Sequence, residues 1–187
     1  MHPMLREIRN KVRRHLHGMA RDERGVSAIE FAMVLPIMVA LYVGAAEFSN
    51  ALTIDRRVTA VASATADLIA QAEQVNSAEL NDIFEAASAI MMPYSATPVK
   101  IKATSVVADE NNDTRVDWSA AMHDTPYAKN AAFPLPDGLT QPFTSVIVAE
   151  VEYTYLPPVG EHITGGIKLS DTFYLRPRRS LTVPKTD

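Results

Sequence analysis

The feature that most constrains this chain is a run without a charged residue, Phe31 to Ala46, reading FAMVLPIMVALYVGAA. With Ala28 and Ile29 it approaches the roughly 20 apolar residues that a helix needs to cross a bilayer. What flanks the run gives it a direction. Residues 1–25 carry seven Lys/Arg (Arg6, Arg9, Lys11, Arg13, Arg14, Arg21, Arg24) against three acids (Glu7, Asp22, Glu23), whereas the rest carries eleven against nineteen. A basic head, an apolar stretch and an acidic body form the pattern of a segment whose positive end stays in the cytoplasm while the remainder is exported. A nucleic-acid role for the basic arm is disfavoured, because a hydrophobic stretch follows at once and no recognition motif accompanies it. The chain has no cysteine, which excludes a disulfide framework and any cysteine-based metal site.

Four residues punctuate the run: Gly25, Glu30, Pro36 and Glu47. Glycine at a helix start, a tolerated membrane-helix kink at Pro36 and an interface marker at Glu47 are ordinary readings. Glu30 is harder to explain. A carboxylate inside an apolar segment costs about 2–4 kcal/mol on insertion scales and is expected at the interface, paired or neutralised. A cut after Gly25 would make Val26 the first residue, and its new α-amino group would lie about one helical turn from Glu30, on the same chain or on a staggered neighbour. An ordinary secretory signal competes with this, since Val43-Gly44-Ala45 forms a small-residue cleavage site behind a basic and an apolar region. That alternative gives Glu30 no purpose.

Beyond Ala46 the helical pattern continues. Ile54, Val58, Val61, Thr65, Leu68 and Ala72 recur in a heptad-like stripe, and no proline or glycine interrupts Glu47 to Val75. The spacing predicts one helix from about Ala28 to Val75, roughly 70 Å long, with its outer stripe covered by the domain's own sheet or by sister helices. Asn76 and Glu79 predict a capping box for a short helix, Ala78 to about Met91, ended by Pro93. Strand-like runs follow at Val99–Val107, Arg115–Trp118, Ser145–Tyr155 and Ile167–Leu175. Alternation places Val99, Ile101 and Ala103 on a buried face against Lys100, Lys102 and Thr104 on a wet one. Likewise Ile147, Ala149, Val151 and Tyr153 oppose Val148, Glu150, Glu152 and Thr154. Residues Asp124 to Pro142, with four prolines, read as a surface loop. The layout is α+β: a long N-terminal helix, a short helix and an antiparallel sheet.

No catalytic or cofactor constellation emerges. Asp109, Asn111 and Asp113 begin a calcium-loop pattern, but Thr114 and Ala120 stand where Gly and Glu are needed, so a hairpin turn is the better reading. His123 and His162 lack metal-ligand spacing. Asn112-Asp113-Thr114 is a glycosylation sequon without the context to use it. Arg176, Arg178 and Arg179 suggest a solvated end or an ion pair with the acidic body.

The run RGVSAIEFAMVLPIMVALYVGAAEFSNAL, Arg24 to Leu52, resembles the N-terminus of the TadE/TadG-like proteins of tight-adherence (Tad, type IVc) pilus systems. Arg24-Gly25, Glu30-Phe31, Leu35-Pro36 and Glu47-Phe48 fall where that signature places them. Ile54–Gln71 and Leu169–Arg178 also look similar to longer members; the resemblance weakens between about Pro93 and Pro142.

The resemblance implies a pilin-like subunit, not an enzyme, with no cofactor and no metal. It implies cleavage by a prepilin peptidase between Gly25 and Val26, a register or processing role for Glu30 with Phe31 beside it, and a kink at Pro36. The divisions it implies are a leader (1–25), a transmembrane segment (26–48), an extramembrane helix (49–75) and a periplasmic domain (76–187). The protein would sit in the bacterial inner membrane with its N-terminus cytoplasmic, beside other Tad pilus subunits and the secretion platform, in a pilus serving adhesion and biofilm formation. TadG-like members are longer and often carry a von Willebrand-type domain. Here the nearest metal motif, Asp117-Trp118-Ser119-Ala120-Ala121, lacks its second serine. The small major pilin is much shorter, and a 25-residue leader is long. An unprocessed scaffold of the same apparatus, and a secreted binding domain cut after Ala45, are the alternatives.

Overall fold

A computed structural model describes residues 23–161 and 165–187; most of the basic leader, and His162, lie outside the described residues. The chain parts into two units between Ala46 and Glu47. Helix α1 (Glu23–Ala70) runs through both and includes Pro36 without interruption.

Within the second unit α1 is amphipathic. Ala51, Ile54, Val58, Val61, Ala62, Thr65, Ala66, Ile69 and Ala70 are buried, and the Thr65 hydroxyl donates to the Val61 carbonyl at 2.8 Å, so its burial leaves no polar atom unpaired. The heptad reading needs one correction here. Leu68 is 42% exposed and Ile69 fully buried, because a straight helix drifts about 20° per heptad from a 3.5-residue repeat. The stripe follows 3.6 residues per turn, and its cover is the domain's own sheet: α1, β1, β3 and α2 share one apolar cluster.

The helix also stops short of Val75. The Arg178 N–H donates to the Ala70 carbonyl at 2.8 Å, and Val75 forms a parallel bridge with Lys185, giving its N–H to Pro184 and its carbonyl to Thr186. The C-terminal tail therefore takes the backbone groups that another turn of helix would have used. Helix α2 (Ser77–Ser88) starts on the expected capping box, with Asn76 and Glu79 exchanging bonds. The Asp187 carboxylate also accepts the Ser77 N–H at 3.0 Å, which adds a negative charge at the helix N-terminus. Leu80, Phe84 and Ala87 face the core, and a 3-10 turn, Ala89–Met91, carries the chain to a cis Met92–Pro93 bond.

Four strands form one antiparallel sheet in the order β2-β1-β3-β4: β1 (Val99–Ala108), β2 (Thr114–Met122), β3 (Ser145–Tyr155) and β4 (Ile167–Leu175). The α+β layout is as expected, with β2 longer than the Arg115–Trp118 run. A register shift opposite Ser105/Val106 accommodates Asp117 as the extra residue of β2.

On one face the sheet departs from simple alternation. Val148 is buried instead of wet because the 124–142 loop folds back over it, and Thr104 is buried too, with its hydroxyl bonded to Ser119 of β2 at 2.9 Å. Phe133, Leu135 and Leu139 from that loop, with Tyr174, pack on Val106, Val146 and Val148 as a second small core. Backbone bonds to Thr114 and Val116 hold the loop along the β2 edge, and the Arg176 guanidinium donates to the Leu139 and Gly138 carbonyls at 2.9 and 3.2 Å. The prolines deny the loop a regular ladder, yet its apolar residues still find cover.

Candidate functional site

Gly25, Val26, Glu30, Phe31 and Pro36 all lie on α1 and all are exposed, as are the large apolar residues from Ile29 to Tyr42. A helix that is apolar on every side and uncovered by its own chain is matched to lipid or to neighbouring helices. A Cβ at Gly25 would meet nothing within 4 Å, so nothing in the described fold requires glycine there. Val26 and Glu30 are four residues apart within the helix, which puts them on one face with Cβ atoms about 5–6 Å apart.

The remaining candidates resolve into structural roles. Asp109 Oδ1 accepts the N–H groups of Asn111 and Asp113, both at 2.9 Å, closing the β1–β2 hairpin with Asn112 in the left-handed region (φ 64°). His123 Nδ1 lies 2.9 Å from the Val99 carbonyl. Arg178 pairs with Asp67 near the end of α1, and Arg176 staples the loop, so two of the three C-terminal arginines hold the fold together.

The outer sheet face beyond the loop holds a ladder of charges around a shallow cleft of about 230 Å³. Glu152 accepts from Lys168 at 2.6 Å and Lys100 at 3.2 Å. Lys102 bonds Asp124 at 3.0 Å and lies 4.4 Å from the Tyr127 ring centre, and Tyr127 donates to Glu150 at 3.2 Å. Opposite signs meet across β1, β3 and β4, so the cleft presents matched pairs instead of a field of one sign.

These pairs set a pH window. The Lys168 bond, opposed by burial, holds Glu152 below its ordinary 4.5, and the Lys102 bond holds Asp124 below 3.8. Asp187 is held below 3.8 by the Ser77 N–H. Burial alone would lower Lys102, but the Asp124 bond together with the nearby Tyr127, Asp124 and Glu150 charges more than offsets it and the pKa rises above 10.5. Depressed acids stabilise the fold above their unfolded pKa and lose that contribution as pH falls through the folded value; a raised lysine loses its contribution as pH climbs past its own. The melting temperature is therefore expected to be flat, as far as these groups determine it, between about pH 5 and 10 and to fall on both sides. Asp124→Asn should flatten part of the acid slope in a thermal-unfolding series.

Two residues do work that their sequence pattern does not show. Glu47 is more than an interface marker: its carboxylate accepts the N–H groups of Val159 at 2.6 Å and Gly160 at 3.0 Å. Arg57 donates to the Ile90 carbonyl at 2.6 Å and stacks its guanidinium 5.7 Å from the Tyr94 ring centre, tying α1 to the end of α2. Both depend on partners far along the chain, which local periodicity does not reveal.

An N-terminal helix long and apolar enough to cross a membrane, continuing into a folded α+β unit, fits the class of single-pass membrane-anchored proteins. Residues 25–67 match the family model described as TadE, TadE-like protein. The likeness to the TadE-like family of Tad pilus proteins rests on this segment, 43 of the 187 residues. No curated protein and no solved structure matches the chain.

Proposed function

We propose that this chain is a pseudopilin or minor pilin of a Tad pilus, cut between Gly25 and Val26 by a prepilin peptidase and acting as a structural subunit, not an enzyme. The observation that carries this reading is the family match over residues 25–67, on a helix whose apolar part is exposed all round. Its basic leader keeps the N-terminus in the cytoplasm and sends the α+β unit to the periplasm. The scissile bond lies within the described helix, so the peptidase must unwind it locally. Glycine eases this, being about 1 kcal/mol poorer than alanine in a helix. After cleavage the Val26 amine and the Glu30 carboxylate offset each other's charge, within one subunit or between staggered neighbours, and Pro36 marks where the helix bends to fit them. The assembled pilus serves surface adhesion and biofilm formation.

Glu30→Gln is the direct test. The variant should reach the inner membrane at wild-type levels, since neutral Gln is no harder to insert than Glu, while pili per cell drop severely. Wild-type piliation in that variant would overturn the register role.

One observation favours a second reading. The fold divides between Ala46 and Glu47, one residue past a cut after Ala45, as a secreted domain would require. Recovery of a soluble chain beginning at Ala46 would select it. An unprocessed scaffold of the secretion apparatus would instead retain residues 1–25.

A further inference from the structure

The apolar run Phe31–Ala46 has 16 residues, about 24 Å of helix, against a hydrocarbon core of about 30 Å. The second unit begins at Glu47 and exposes apolar side chains close to that residue. Phe48 and Leu52, one turn apart on α1, are 66% and 44% exposed, and Leu156 and Val159, in the turn after β3, are 53% and 57% exposed. Glu47 fixes this turn against the helix by accepting the Val159 and Gly160 N–H groups. A Cβ on Gly160 would come within 2.8 Å of the Glu47 carboxylate, so the turn's backbone sits directly on it. Tyr155, at the end of β3, is buried in the same cluster as Ala51 and Ile54 of α1 and holds the turn at the same level.

We propose that Leu156 and Val159, with Phe48 and Leu52, form a lipid-contacting footing by which the α+β unit rests in the headgroup region of the bilayer. This inference rests on the reading of α1 as a membrane span. Three observations converge on lipid as the occupant. The turn lies level with the residue that directly follows the apolar run, and a headgroup layer of roughly 5–7 Å on each side is deep enough to receive it. The charge-free part of the span is short, and apolar groups beside its end extend the surface that the bilayer can cover on that side. Glu47, at the middle of the footing, has its charge met by two N–H donors, which lowers the cost of leaving bulk water, while Glu161 on the same turn is exposed and needs the wet part of the headgroup layer.

The chain's lack of cysteine makes the test clean. Full-length Val159→Cys, Val39→Cys and Glu110→Cys variants, each labelled with an environment-sensitive fluorophore, are reconstituted in phosphatidylcholine vesicles. They are then quenched either by lipids carrying a nitroxide or by aqueous iodide. The label at 159 should be blue-shifted relative to that at 110, quenched by shallow nitroxide lipid and protected from iodide; the label at 110, in the β1–β2 hairpin, should show the reverse. If 159 behaves like 110 while 39 is quenched by lipid, the footing is wrong and the span stands. If 39 also escapes lipid quenching, both fall. Protection of 159 from both quenchers would mean that a protein covers it, which overturns the lipid assignment.

Discussion

Trp118→Ala is expected to cost about 3–5 kcal/mol of stability, the usual range for removing a large buried aromatic side chain. Trp118 is almost fully buried in the main core, and its indole N–H donates to the Val183 carbonyl at 2.7 Å. Val183 is itself buried, and the same tail gives the Leu181 carbonyl to the Ser145 N–H and bridges Val75 through Lys185. Loss of the ring therefore opens a cavity and also unpins the tail that ends α1 and caps α2. Trp118→Phe separates the two effects. It keeps much of the volume but strands the Val183 carbonyl, at a cost of about 1–3 kcal/mol. Domains of this kind are stable by only about 5–15 kcal/mol, so the alanine variant should be close to unfolding. Denaturant titration of the detergent-solubilised full chain by circular dichroism measures both, since the sole tryptophan cannot serve as a reporter in its own absence. An alanine variant within 1 kcal/mol of wild type would show that the tail is not pinned there.

Gly25→Leu should abolish processing. The described fold leaves open space around Gly25, so a leucine there clashes with nothing and the variant should still fold and insert. On the proposed cut, any loss would arise in the peptidase, because a small neutral residue is expected at this position and a stronger helix former would hinder access to an extended strand. Immunoblotting of membrane fractions should show only the longer species. Mature-length protein in that variant would place the cut elsewhere.

The elements of this fold were legible because local rules and tertiary packing agree over most of the chain. Asn76 and Glu79 announce α2 through a capping box that needs no distant partner. Ser145–Tyr155 and Ile167–Leu175 are strands with the bounds their alternation predicts. Failures occur where a remote segment decides. Leu68 lost its place to Ile69 because the partner is a sheet and not a coiled coil, and Val148 is buried by a loop whose prolines conceal its apolar cover. Of the candidate site, Gly25, Glu30, Phe31, Pro36 and Glu47 stand out as candidates in sequence because they lie in one contiguous helix, within the segment that matches the family model. The grip of Glu47 on Val159 and Gly160 spans more than 100 residues of sequence and has no local trace.

The N-terminal residue of the native protein, taken from bacterial membranes or sheared pili by intact-mass analysis and Edman sequencing, bears most directly on the central claim. A chain that begins at Val26 and still carries Glu30 is the predicted result. A mature protein that begins at Ala46 and is recovered in soluble form would contradict it.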